Sequence, residues 1–115
     1  MLKTLKLIET SEIVKSYEIQ DFKESKDFYF LKLKIILIDD SILYVREYIS
    51  QAEYLYSYHW QDQGLNLRIR WDNAPHHKEL RTFPHHKHSP DLEESIEMNL
   101  EEILKVIQDK LRDAY

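Results

Sequence analysis

The chain has 115 residues with one glycine, three prolines, no cysteine and a formal net charge of −5. That is the length of one compact domain spanning residues 1–115, with no disulfide framework and no thiolate zinc site, and its acidic balance argues against a whole-surface embrace of nucleic acid. The longest apolar run, "IILI" at residues 35–38, is far below the roughly 20 residues that span a bilayer, and "MLKTLKLIET" has no signal-peptide pattern, so a cytoplasmic protein without a membrane partner is expected.

In chain order, residues 1 to 9 read as a short helix with Leu2, Leu5 and Ile8 along one side, an edge strand being the alternative. Residues 13 to 20 and 28 to 38 are rich in β-branched and aromatic residues and read as strands. The turn "DDS" and a third strand at 41 to 49 make residues 28 to 49 a hairpin. "EYLYSYHW" (53–60) and "LNLRIRW" (65–71) alternate strictly, with "QDQG" between them as the turn. A four-residue loop sets Trp60 opposite Leu65. Tyr54, Tyr56, Tyr58 and Trp60 then share a face with Leu65, Leu67, Ile69 and Trp71, while Ser57, His59, Asn66, Arg68, Arg70 and Asp72 project from the other. A slip by one residue would bury arginines among tyrosines, so the apolar pattern selects this pairing. The tyrosine stripe is most simply core rather than a platform for stacking bases.

Residues 73 to 97 read as irregular. After them Leu100, Ile103, Leu104, Ile107 and Leu111 form one stripe at helical spacing. Asn99 is the expected N-cap, and Glu101 and Glu102 suit the positive end of the helix dipole. The fold class is therefore α+β: an antiparallel sheet of four or five strands, a C-terminal helix on its apolar face and a short N-terminal helix.

Charge and histidine are unevenly placed along this framework. Residues 59–88 carry five basic and three acidic residues and all six histidines, and five of those lie within "RWDNAPHHKELRTFPHHKH" at 70–88. Two chemistries use such a segment. In the first, His85, His86 and His88 coordinate a metal, completed by His76 or His77. The spacing matches none of the common zinc patterns, and neighbours in an extended segment point to opposite sides, so His86 and His88 converge while His85 looks away. The second is metal-independent cleavage of an RNA phosphodiester. It needs a base for the 2′-hydroxyl, an acid for the leaving oxygen and a cation for the phosphorane, roles that histidine and arginine fill. Against both stands the plain alternative of solvated loop histidines with Asp72 pairing or capping locally.

The order "YHWQD", "RWDNAPHH", "FPHHKH" and an acidic helix start resembles the TumE-type toxins from about residue 28 to the end. The positions carrying the resemblance are Tyr58, His59, Arg70, Asp72, Asn73, Ala74, Pro75, Pro84, His85, His86 and His88. It implies a toxin encoded beside a DNA-binding antitoxin of the TumA type, in a class that acts mostly on RNA or translation. The resulting expectation is a metal-independent endoribonuclease without a cofactor, with RNA as substrate, the antitoxin as partner and a homodimer left open. Arg70 and Arg68 hold phosphate, two of His59, His85, His86 and His88 act as acid and base, and Asp72 orients one of them. Tyr58, Asn73, His76, His77, Arg81 and Lys87 supply further substrate contacts. The rivals are a non-enzymatic protein that docks an antitoxin or blocks a target, and a histidine-ligated metal hydrolase.

Overall fold

The computed structural model describes residues 2–75, 77–89 and 91–113. Helix α1 (Leu2–Thr10) precedes five long strands: β1 (Val14–Glu24), β2 (Phe28–Leu37), β3 (Ile42–Ser50), β4 (Tyr54–Gln61) and β5 (Leu67–Asp72). Two three-residue strands, β6 (His86–His88) and β7 (Leu92–Glu94), follow, and helix α2 (Leu100–Asp113) ends the described chain. All seven strands form one sheet in chain order, every neighbour antiparallel.

Period-two alternation builds the two faces. Leu31, Leu33, Ile35, Leu37, Leu43, Val45, Tyr58 and Trp60 point to one side and are buried. They join the stripe Leu100, Ile103, Leu104, Ile107 and Leu111 of α2 in a single core, together with Ile8 of α1. The Asn99 side chain caps α2 by accepting from the Glu102 N–H at 2.9 Å. Tyr54, Tyr56 and Tyr58 are core, as the alternation indicates. Within that core Tyr58 donates to the buried Glu47 carboxylate, and Tyr54 donates to the Met98 carbonyl at 2.9 Å. Burial pushes the Glu47 carboxyl up, against the opposing pull of the Tyr58 hydrogen bond.

Two expectations are corrected. The sheet has seven strands rather than four or five, because β6 and β7 are too short to show an alternation and β6 joins β5 across a long connection. The β4–β5 register is also displaced. Trp60 pairs with Ile69 rather than Leu65, and a bulge lies where Gln61 pairs with Leu67. A shift of four residues preserves parity, so the faces survive from Ile69 to Asp72, while the bulge takes Leu67 out of the apolar set and Arg68 out of the polar one. The turn is longer because Asp62 closes it: its N–H donates to the Asn66 carbonyl and its carboxylate accepts from the Asn66 N–H, both at 2.9 Å. Leu65 is left exposed in the turn with φ of 70°.

A leucine in the left-handed region is strained, and asparagine tolerates it better. Leu65→Asn is therefore expected to raise stability by about 0.5–1 kcal/mol, read as a higher denaturant midpoint with unchanged slope. A lower midpoint would show that Leu65 makes contacts outweighing its backbone cost.

Candidate functional site

The face of the sheet opposite the helix stripe carries the site. Strand register aligns its side chains in rows. One row runs Lys34, Tyr44, His59, Arg70 and His88 across β2 to β6, and the next runs Lys32, Arg46, Ser57, Asp72 and His86. A groove of about 340 Å³ lies over them, lined by Lys32, Tyr44, Arg46, Ser57, His59 and Arg70 among others. Among the described residues its lining has three cations and no carboxylate, so this patch attracts anions on a protein whose net charge is −5.

Arg70 is the hub. Its Nε donates to Asp72 Oδ2 at 3.2 Å and its Nη1 approaches His59 Nδ1 at 3.4 Å. A guanidinium only donates, so His59 accepts at Nδ1 and is the neutral ring with its proton on Nε2, 3.0 Å from Gln61 Oε1. Burial first, and then the Arg70 charge, hold His59 below the usual imidazole value, the Gln61 hydrogen bond working against them. On the other side of Arg70, His88 is also held below that value, by burial first and then by the neighbouring His86, His77 and Arg70, with Asp72 opposing.

Asp72 and His86 form the buried support. The carboxylate accepts from the Ala74 N–H at 3.0 Å and lies 2.8 Å from His86 Nε2, and the His86 ring is only 3% exposed. His86 Nδ1 lies 3.0 Å from the Pro84 carbonyl. Carbonyl and carboxylate both accept, so the pair holds a proton at each contact, and the ring is locked from both ends. His77, His86 and His88 come together edge to face, with ring centroids 4.8–5.8 Å apart.

The remaining residues singled out in the sequence lie elsewhere. His85 points to the opposite side, stacked on Tyr56 with Nδ1 2.9 Å from its hydroxyl, because adjacent residues of an extended segment alternate. Tyr58 is fully buried in the core and presents nothing to a substrate. Asn73 is buried as well, its amide clamped to the β4 backbone: Oδ1 accepts from the Tyr56 N–H at 3.0 Å and Nδ2 donates to the Tyr54 carbonyl. The bulge takes Arg68 out of the alternation. Its guanidinium covers the Trp60 ring at 4.9 Å and binds Asp39 at 2.9 Å, so it does not join Arg70. Arg81 makes a bidentate pair with Glu94, and Lys87 pairs with Glu93 at 3.7 Å. His76 lies outside the described residues.

Lys32, Tyr44 and Arg46 belong to the groove and were not singled out from the sequence. Their signal was present: in "FLKLKIIL" and "ILYVRE" they occupy the polar phase of the alternation, and laying β3 against β4 places them beside His59.

No helix among the described residues is long and apolar enough to cross a membrane. Comparison with curated proteins and with solved structures found no match. The model of the family described as "Toxin TumE" matches residues 4–111, reaching well upstream of the motifs that carry the resemblance. The grooved sheet with its histidine-rich edge therefore belongs to a member of the TumE toxin family, a toxin component of a toxin–antitoxin system with an antitoxin as its implied partner.

Proposed function

We propose that this toxin inhibits growth by cleaving RNA without a metal, and that a DNA-binding antitoxin relieves the effect. The observation that carries the reading is the row His59–Arg70–His88, two histidines flanking an arginine across adjacent strands in a cationic groove. Arg70 holds the scissile phosphate and stabilises the phosphorane. His59, neutral, takes the 2′-hydroxyl proton on Nδ1 once Arg70 swings from that nitrogen to the phosphate, and the 2′-oxygen attacks phosphorus. His88, on the far side, protonates the leaving oxygen. Asp72 and His86 fix the backbone and the Arg70 fork from beneath. His85, Arg68 and Tyr58 have no place in the chemistry.

The free protein's pH profile tests this assignment. Both imidazoles are held below the usual value of about 6.5, and the acid must be protonated. Its protonated fraction falls as pH rises through that lowered pKa, so kcat/KM is expected to peak below about pH 6.5 and to fall roughly tenfold per unit above it. His59→Ala or His88→Ala should each cost about 10²–10⁴ in rate and remove one limb. A profile flat from pH 6 to 8 is incompatible with these two residues as acid and base. Growth arrest by soluble protein without any RNA cleavage would favour the non-enzymatic rival.

The metal reading keeps one observation: ring nitrogens of His77, His86 and His88 all lie within 4.8 Å of one another. A tetrahedral zinc needs them about 3.3 Å apart, and His86 would have to leave Asp72 or Pro84. EDTA is expected to leave cleavage unchanged. Zinc bound one to one, with activity lost on its removal, would move the site to the hydrolase class.

A further inference from the structure

Beside the cationic groove, the same sheet face changes character. Phe30, Tyr48 and Leu55 are aligned by register on β2, β3 and β4, one row beyond Lys32, Arg46 and Ser57. Leu55 is 40% exposed, an apolar side chain open to solvent on an otherwise polar face. Phe28 stacks on Tyr48 with centroids 6.0 Å apart and planes at 21°. Phe30, Tyr48 and Leu55 border a recess of about 410 Å³, within the range of about 300–1,000 Å³ typical of small-molecule sites. The recess shares Arg46 and Ser57 with the cationic groove, and the Arg46 guanidinium sits 5.6 Å from the Phe30 ring centre.

We propose that this recess is a nucleobase subsite for single-stranded RNA, receiving a base next to the phosphate held at Arg70. It rests on the RNA-cleaving reading and adds to it where substrate selection occurs. Single-stranded nucleic acid is held by cations that track its backbone and by aromatic faces that stack its bases, and here the two lie side by side. Same-face neighbours two residues apart on a strand are separated by about 6.7 Å, so the aromatic row lies some 13 Å from the Arg70 row and one row from Arg46. That is a reach for one nucleotide or two along an extended strand. Glu53, exposed, is the one carboxylate among the described residues that lines the recess. A carboxylate accepts from the amino group of cytosine and is repelled by the carbonyl that uracil has in its place.

The test is binding of a fluorescent, uncleavable 2′-O-methyl oligonucleotide to the full chain, with melting temperature as the control for folding. Tyr48→Ala and Phe30→Ala are expected to weaken it about 10- to 100-fold, the loss of one stacked base. Leu55→Gln, at an exposed position, should weaken it several-fold while the fold stays intact. One abasic position in the oligonucleotide should reproduce the loss, and should cost little more in the Tyr48→Ala protein. Oligocytidylate should bind tighter than oligouridylate, a gap that Glu53→Gln closes.

If Arg46→Ala and Arg70→Ala weaken binding but Phe30→Ala, Tyr48→Ala and Leu55→Gln all leave it unchanged, the subsite is overturned and the phosphate groove stands. If substitutions in the recess release the antitoxin and spare RNA, the recess is the antitoxin's and the inference is wrong. An oligonucleotide that does not bind the wild-type chain at all overturns both readings.

Discussion

Replacing Arg70 with alanine is expected to slow RNA cleavage by about 10²–10³ at saturating substrate, the scale of losing one donor to a developing oxyanion. The expectation follows from its position. Arg70 is the cation that touches both a histidine and the buried carboxylate, and its side chain remains 42% exposed in the groove. Lysine should recover only part of the rate, because it restores the charge without the fork. The fold should survive, since a partly exposed ion pair contributes at most about 1 kcal/mol and Asp72 keeps its contacts to His86 and Ala74. Single-turnover kinetics beside melting temperatures make the check. Should affinity fall while turnover at saturation stays the same, Arg70 docks RNA and does not stabilise the transition state.

Asp72→Ala should act differently, by unfolding one end of the sheet. Three donors converge on this carboxylate: the Arg70 guanidinium, the Ala74 N–H and a buried His86 ring. Removing this acceptor leaves a buried donor unsatisfied, at a cost of about 1–3 kcal/mol. Strands β6 and β7 have three residues each and little apolar surface of their own, so the Asp72–His86 contact is a main tie between them and β5. Amide hydrogens of residues 86–89 and 91–94 should therefore lose protection before the rest of the sheet. Combining Asp72→Ala with His86→Ala should show strong coupling, the double variant losing much less than the sum. If Asp72→Ala abolishes cleavage while melting and exchange are unchanged, Asp72 takes part in the chemistry itself.

The difference between these residues was only half legible in the sequence. Residue type separates Arg70 from Asp72 there, but it leaves His85, His86 and His88 equivalent candidates in one charged, histidine-rich segment. Burial separates them. His86 is closed in at both nitrogens, His88 opens toward the Arg70 row, and His85 faces the core side. Arg68 shows the same limit. Its place in the alternation puts it beside Arg70, yet one extra residue in the strand turns it onto Trp60 and Asp39.

Sequence alone determined what depends on period and local chemistry. The five long strands, the two faces, the tyrosine core and the stripe and cap of α2 follow from alternation of two, spacing of 3.6 and the hydrogen-bonding reach of Asn99, none of which needs a distant partner. The family resemblance rested on short motifs of the same local kind. Tertiary structure decided everything that depends on pairing across the chain. It recruited β6 and β7 to the sheet over a connection with no period to read, and it set Trp60 against Ile69 through the Asp62 turn. It also drew Lys32, Tyr44 and Arg46 from an earlier hairpin to the side of His59 and Arg70. Register between strands is a non-local property: side chains far apart in sequence become neighbours only when the backbone ladder brings their rows together, and the groove is made of such rows.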